Sequence, residues 1–250
     1  MKNTFLVFIA FLFIGGAQAQ NVGIGTTTPA ASARLDVSST TSGFLPPRMT
    51  FAQRDAITTP AEGLMIYNTE TKLPNFFDGT VWKNFDGTAA VITLGGYYGG
   101  GKVAYILQSS DPGYIAGQVH GIIAAASNLG TGTQWGCSGT AIYPGAIGTA
   151  LGTGHQNTID IMAGCATPGI AARICGDLVL NGYNDWYLPG VEELNKLIIN
   201  QAAIGGFSNN FYWTSSEIDP DYAYSGDIFG YFHASAKNDG SLSVRAVRSF

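Results

Sequence analysis

A short polar segment after Trp213, residues 216–224, holds the side chains best suited to binding chemistry. Three carboxylates and two tyrosines cluster there, namely Glu217, Asp219, Asp221, Tyr222 and Tyr224. Carboxylates accept hydrogen bonds from sugar hydroxyls, and tyrosine rings cover the apolar faces of sugars. Because loops on a rigid scaffold commonly carry binding groups, the sequence predicts a ligand-binding loop here, supported by Trp213. A solvated loop without a ligand is the alternative interpretation.

Metal binding has little support from the sequence. Carboxylates are the hard oxygen ligands that Ca²⁺ takes, but those of residues 216–224 lack the regular spacing of an EF-hand loop. No two cysteines have the spacing of a zinc site, and the three histidines are scattered. We therefore expect no cofactor and no metal ligands, with Ca²⁺ at the acidic loop as the alternative.

Catalytic patterns are equally sparse. Glycoside hydrolysis needs two facing carboxylates, and no motif pairs Glu192, Glu193 or Glu217 in that way. His155 has no serine or aspartate arrangement typical of a triad. The glycines before Lys102 lack the spacing of a phosphate-binding loop. The sequence predicts a protein that is not an enzyme, and a hydrolase stays as a remote alternative.

The N-terminus is typical of a secretory signal peptide. Lys2 is followed by an apolar stretch, Phe5 to Ile14, and by the small-residue cleavage site Ala17-Gln18-Ala19. We expect residues 1–19 to be removed and the protein to be secreted or held at the cell surface. No later stretch is long and apolar enough to span a bilayer. Loss of Lys2 leaves 11 basic residues against 17 acidic ones, which excludes nucleic acid as an electrostatic partner.

Residues 20–88 are predicted to form a small β-rich module. The paired prolines Pro46-Pro47 favour extended backbone, and Thr50 can cap a short helix that ends near Ala56. Asp78-Gly79 between aromatic residues predicts a hairpin. The module has too few core residues to be stable alone, so it either packs on the second module or oligomerises.

Residues 95–250 are predicted to form the second module, with an α+β fold of short early helices and a late antiparallel sheet. Helices are predicted at 158–164 with Asn157 as cap, from Pro168, and at 189–203. Strands are predicted at 101–107, 120–125, 211–215, 223–232 and 242–247. The hypothesised core comprises Val103, Ile106, Ile122, Ile174, Leu178, Trp186, Leu188, Leu194, Leu197 and Trp213.

Two resemblances extend this interpretation. The segments 21–29, 35–38, 43–56 and 64–82 together resemble the tail-fibre-like segments of secreted Bacteroidetes-type proteins. Such segments precede a variable C-terminal domain and often trimerise, so the resemblance implies a homotrimer assembled through the N-terminal module.

The second module is similar to the Lcl C-terminal domain family, named for a collagen-like bacterial adhesin. The matching segments are 174–178, 182–189, 192–195, 212–217 and 244–248. The resemblance implies a C-type-lectin-like fold that binds extracellular ligands, including sulfated glycans. Because the loop at 216–224 is acidic and repels sulfate, we expect neutral or amino sugars instead. The predicted function is glycan binding and adhesion at the cell surface, and the alternative is a structural surface or fibre component without a specific ligand.

The three cysteines, Cys137, Cys165 and Cys175, permit one disulfide in a secreted protein. Many members of the family carry a cysteine where Ala246 stands here, and its helix partner corresponds to Cys175, so that bridge cannot form. A helix from Pro168, at ~1.5 Å per residue, separates Cys165 from Cys175 by more than the roughly 4.4–6.8 Å that a disulfide allows between Cα atoms. We predict a Cys137–Cys165 disulfide and a buried Cys175 thiol.

Overall fold

The computed structural model describes residues 21–87, 90–142 and 145–250, and the chain divides into two units, Met1–Pro46 and Pro47–Phe250. The predicted signal peptide, residues 1–19, lies outside the described residues. We call residues 21–46 the N-terminal unit and residues 47–250 the main unit.

The N-terminal unit contains one two-stranded parallel sheet. Strand β1 (Val22–Ile24) pairs with β2 (Leu35–Val37), with Val22 opposite Leu35 and Ile24 opposite Val37. Side chains alternate between the two faces of a strand, so these four aliphatic residues share one face.

The main unit begins with a four-stranded sheet, in the order β3-β4-β5-β6. Its strands are β3 (Arg48–Met49), β4 (Met65–Asn68), β5 (Leu73–Phe77) and β6 (Trp82–Asn84). Helix α1 (Phe51–Asp55) begins after Thr50, whose side chain accepts from the Gln53 backbone N–H while the Gln53 side chain accepts from the Thr50 backbone N–H. This reciprocal cap satisfies two backbone donors and confirms the predicted helix.

A second four-stranded sheet, in which all neighbouring strands are antiparallel, brings the end of the chain next to residues 97–124. It has the order β15-β9-β8-β7, from β7 (Tyr97–Tyr98), β8 (Gly101–Ile106), β9 (Gly121–Ala124) and β15 (Val247–Ser249). Because β15 pairs with β9, the sheet carries Arg248 back to the region of Gly99, whose carbonyl oxygen accepts from its guanidinium.

The largest sheet has five strands, in the order β10-β14-β11-β12-β13. They are β10 (Gly130–Thr131), β11 (Tyr212–Glu217), β12 (Tyr222–Gly226), β13 (Phe232–Ala236) and β14 (Ser243–Val244). The single strand predicted at 223–232 is wrong, because a turn held by Asp227 separates β12 from β13.

Four further helices are short. They are α2 (Gly154–Gly164), α3 (Ala171–Gly176), α4 (Val191–Ile199) and α5 (Gln201–Ile204). Asn157 is not the cap of α2, because the helix begins after Thr153 and the Asn157 side chain instead hydrogen-bonds the backbone of Gly148. The predicted helix at 189–203 is divided at Asn200 into α4 and α5.

The predicted α+β class, with a C-type-lectin-like domain, is wrong for the described residues. They contain fifteen strands in four sheets and five helices, none longer than 11 residues, which is a β-rich fold with few helices. The apolar runs predicted as early helices are short and are bounded by glycines such as Gly164, Gly169 and Gly176, so each helix ends soon after it begins. Strands also lie on both sides of the helices along the chain, because β7 to β10 come before α2 and β11 to β15 come after α5.

The interior of the main unit is built around Trp135, Trp186 and Trp213, which are almost fully buried. Of the hypothesised core, seven residues are buried, namely Val103, Ile122, Trp186, Leu188, Leu194, Leu197 and Trp213. The other three, Ile106, Ile174 and Leu178, are half-buried. Trp135, which the hypothesised core omits, donates its indole N–H to the Thr214 carbonyl oxygen at 2.8 Å.

Candidate functional site

The predicted ligand loop is the turn of the β11–β12 hairpin. Asp219 holds this turn, because one of its carboxylate oxygens accepts from the backbone N–H groups of Asp221 and Tyr222, both at 2.8 Å. Tyr222 is 44% exposed, the Asp221 side chain is exposed and Tyr224 is half-buried. This turn therefore exposes the Tyr222 ring and the Asp221 carboxylate beside the Asp219 carboxylate that holds the turn.

Trp213 and Glu217 lie below this turn, inside the protein. Trp213 donates its indole N–H to the Thr133 carbonyl oxygen at 2.7 Å. The Glu217 carboxylate binds the ammonium group of Lys237 at 2.5 Å and accepts from the backbone N–H of Ile142 at 3.0 Å. Their polar atoms serve the fold, so surface ligand binding stays a prediction for Asp219, Asp221, Tyr222 and Tyr224.

A second polar cluster, which the sequence does not reveal, surrounds the carboxylate of Glu193. Glu193 is fully buried and accepts from the backbone N–H groups of Gly190 at 2.7 Å and Gly152 at 3.2 Å. The hydroxyl of Tyr187 donates to it at 3.1 Å and lies 2.9 Å from the Ser249 hydroxyl. Burial raises the pKa of Glu193 above its ordinary value, and the hydrogen bonds oppose that shift only in part.

Gly154 explains why this cluster is so close-packed. A Cβ atom at Gly154 would lie 2.1 Å from a carboxylate oxygen of Glu193. Only a glycine at this position therefore lets the start of α2 lie so close to the carboxylate. Burial also raises the pKa of Tyr187 strongly, which keeps its phenol protonated at neutral pH. The cluster joins α2, α4 and β15 through hydrogen bonds. Because the Tyr187 phenol stays protonated, it is a poor general base for the Ser249 hydroxyl.

The end of the chain is tied down by an ion pair. The Arg248 guanidinium binds both carboxylate oxygens of Asp185 at 2.7 Å and lies 4.1 Å from the centre of the Tyr183 ring. This bidentate contact lowers the pKa of Asp185 despite the opposing effect of its partial burial. Arg245 is fully buried instead, donating to the carbonyl oxygens of Ala125 and Gly205. Of the two arginines near the end of the chain, Arg248 is the one that forms this ion pair.

The cysteine prediction is confirmed. Cys137 and Cys165 form a disulfide with a Cα–Cα distance of 5.8 Å, and Cys175 is a free, buried thiol. Burial raises the pKa of Cys175 and keeps it in the unreactive thiol form. No cluster of three or more metal-ligating side chains occurs among the described residues. No helix in the described ranges is long and apolar enough to cross a membrane.

The N-terminal unit presents an uncovered apolar face. Val22, Ile24, Leu35 and Val37, which share one face of the β1–β2 sheet, are exposed by 55%, 55%, 52% and 41%. Phe44 and Leu45 follow in the same unit and are more than 60% exposed. Contiguous exposed aliphatic groups of this kind mark interaction surfaces. We call residues 22, 24, 35 and 37 the apolar face.

Comparison with known proteins gives a context for this face. A protein-family model described as a phage tail like trimerisation region matches residues 23–95. Among solved structures, the chain is similar to a fimbrial protein from Bacteroides ovatus, with 12% sequence identity and a TM-score of 0.41. That match covers 66% of this chain and 46% of the fimbrial protein, so the chain spans less than half of that protein's length. No curated protein matches the chain.

The family match supports the tail-fibre-like segment predicted at residues 21–85 and the expectation that this segment oligomerises. The resemblance of the second module to the Lcl C-terminal domain family stays a prediction.

Proposed function

We propose that this protein is a structural component of an extracellular fibre or surface assembly, and that it trimerises through residues 23–95. The apolar face of the N-terminal unit is the observation that carries this proposal, and the match to a trimerisation region supports it. Export follows from the signal peptide predicted at residues 1–19. N-terminal sequencing of the secreted protein should begin at Gln20.

The physical case for assembly is that the N-terminal unit cannot bury the apolar face by itself. A two-stranded sheet is marginally stable at best in water unless a hydrophobic face packs against something else. Here both strands are three residues long and all four aliphatic side chains of the face are about half exposed. Burying an aliphatic side chain contributes roughly 1.5–3 kcal/mol. Three copies packed around this face supply that burial and explain why the aliphatic residues are present.

The test is the oligomeric state of the mature chain and of a variant in which Ile24 and Val37, which pair across the sheet, are both changed to serine. Sedimentation equilibrium should give three times the chain mass for the natural protein and a lower mass for Ile24→Ser/Val37→Ser. The matched control is Val179→Ser/Ile199→Ser, which removes aliphatic side chains of 74% and 69% exposure from the main unit. A monomeric natural protein at micromolar concentration, or a variant that stays trimeric, contradicts the proposal.

A second candidate function is recognition of an extracellular glycan at the β11–β12 turn. The observation that favours it is the exposed Tyr222 ring beside the carboxylates of Asp219 and Asp221. Asp219 holds the turn, so Asp221→Ala/Tyr222→Ala is the informative change. A glycan array with the mature protein should lose its positive signals in this variant while the melting temperature stays unchanged. An array without positive signals, or signals that survive the change, removes this surface from consideration.

A further inference from the structure

A cavity of about 500 Å³ lies within the main unit, between the β4–β5 turn, strand β7 and the turn at Asn181. Three tyrosines line it, Tyr97, Tyr98 and Tyr183. Its volume falls within the roughly 300–1,000 Å³ that is usual for small-molecule sites. The cavity is formed within one chain, and its residues Glu70, Thr71 and Lys72 lie in the segment that is proposed to trimerise.

Each tyrosine ring of this cavity is held by a second group. Tyr98 packs edge-on against Phe250, with ring centres 5.0 Å apart, and is tilted against Phe51 at 5.6 Å. The Arg248 guanidinium lies 4.1 Å from the centre of the Tyr183 ring.

Tyr97 is held in a similar way, because the Lys102 ammonium group lies 3.9 Å from the centre of its ring. A Cβ atom at Gly100, which has φ +90°, would lie 2.6 Å from the Tyr183 ring, so only glycine allows this close approach. Rings that are already fixed lose little conformational entropy when a ligand arrives.

Polar groups with unmet hydrogen-bonding capacity surround these rings. The Thr71 hydroxyl oxygen is buried beside the cavity and has no hydrogen-bond partner among the described residues, which lowers the stability of the folded chain. The Asn181 amide donates to the Gly100 carbonyl oxygen at 2.7 Å, and its own oxygen can still accept. Lys72 contributes an exposed ammonium group, and the Glu70 carboxylate holds the Tyr98 hydroxyl at 3.3 Å.

From this arrangement we infer that the tyrosine cavity is a binding site for a short neutral saccharide. Aromatic faces cover the apolar side of a sugar ring, and Tyr97, which is 56% exposed, presents such a ring at the cavity. Sugar hydroxyls both donate and accept, which suits a site that offers a carboxylate, an ammonium group and an amide together. Glu70 and Lys72 carry opposite charges at the same cavity, so neither an anionic nor a cationic ligand gains from both. The Lys102 ammonium group beside Tyr97 already lies against an aromatic ring.

The experiment is saturation-transfer-difference NMR of the mature full chain with chitotriose, maltotriose and mannotriose, and with a sulfated disaccharide as the charged comparator. At least one neutral trisaccharide should receive saturation on its ring protons. The signal should fall about tenfold or more in Tyr97→Ala, which removes a 56% exposed ring and therefore little core packing. Tyr231→Ala, at 68% exposure, is the matched control and should keep the full signal.

Tyr222→Ala separates this cavity from the β11–β12 turn, because it removes the exposed ring of the turn and leaves the cavity intact. Transfer that survives Tyr222→Ala and is lost in Tyr97→Ala belongs to the cavity, whereas transfer that is lost in Tyr222→Ala and survives Tyr97→Ala belongs to the turn. Absence of transfer to every neutral trisaccharide overturns the inference, as does transfer that Tyr97→Ala leaves unchanged or transfer confined to the sulfated sugar. A Tyr97→Ala variant whose sedimenting mass falls would show that the cavity receives a neighbouring copy instead, which also overturns it. The trimer itself is tested by Ile24 and Val37, so the two failures are distinguishable.

Discussion

The main unit buries its large apolar side chains, whereas the N-terminal unit leaves its aliphatic side chains about half exposed. In the main unit Trp135, Trp186 and Trp213 are buried inside a single chain, and the Trp135 and Trp213 indole N–H groups are satisfied there. In the N-terminal unit the four aliphatic residues of the apolar face stay about half exposed. The same chain thus contains one region whose apolar residues are buried within a single copy and one region whose apolar face stays exposed.

The largest expected effect comes from inside the main unit, at the Lys237–Glu217 ion pair. Both side chains are buried, with 0% and 4% exposure, and Lys237 also donates to the Thr140 carbonyl oxygen. Lys237→Met leaves the Glu217 carboxylate buried without its partner, which should lower the free energy of unfolding by roughly 3–5 kcal/mol. Urea unfolding followed by tryptophan fluorescence measures this change.

The surface ion pair between Lys83 and Asp78 provides the control for this substitution. Its atoms are 2.9 Å apart, but its side chains keep 35% and 22% exposure. Exposed pairs contribute roughly 0–1 kcal/mol, so Lys83→Met should be nearly neutral. If Lys237→Met and Lys83→Met lower the free energy of unfolding equally, burial of the Lys237–Glu217 pair is not what stabilises the main unit. The contrast between a buried interior and an exposed apolar face is then wrong.

The second effect in size is the loss of the Cys137–Cys165 disulfide, which closes a loop across a sequence separation of 28 residues. Closing a loop of this length restricts the unfolded chain and raises the free energy of unfolding by about 3–4 kcal/mol at most. Measured gains commonly fall below that value. Cys137→Ser/Cys165→Ser should therefore lower the melting temperature by several degrees. Cys175→Ala keeps the disulfide and should change the melting temperature less. Equal losses in the two variants contradict the expected role of the bridge.

Two carboxylates of the main unit should respond to pH in opposite directions. The pKa of Glu193 is raised by burial, so its contribution to stability falls as pH rises above about 4.5 and through its pKa in the folded protein. The pKa of Asp185 is lowered by Arg248, so its contribution is present above about pH 3.8 and is lost as pH falls towards its pKa in the folded protein.

Melting curves across pH test both shifts. Glu193→Gln should flatten the decline of stability above pH 4.5, and Asp185→Asn should flatten the decline on the acid side. If Glu193→Gln leaves the slope above pH 4.5 as it is in the natural chain, the carboxylate of Glu193 is not the group responsible.

The sequence predicted local features better than global ones. The Thr50 cap, the Cys137–Cys165 disulfide and the buried Cys175 depend on neighbouring residues or on helix geometry, and they are confirmed. The α+β class was wrong because it assumed helices as long as the apolar runs, and glycines interrupt those runs. The Glu193 cluster and the tyrosine cavity join residues more than 50 positions apart, such as Tyr187 with Ser249 and Lys72 with Asn181. No spacing pattern in the sequence therefore predicts them.

The smallest expected effect on the main unit comes from the apolar face itself. Ile24→Ser/Val37→Ser changes side chains that already contact water in a single copy, so no core is opened and no buried polar group is left unpaired. Surface substitutions of this kind usually change stability within about 0.5 kcal/mol. The tryptophan-monitored unfolding midpoint of the main unit should therefore match that of the natural chain at low protein concentration. At high concentration the natural chain should gain stability by mass action while the variant should not, because we expect only the natural chain to assemble. Identical concentration dependence in the two proteins would mean that the N-terminal unit is as self-sufficient as the main unit.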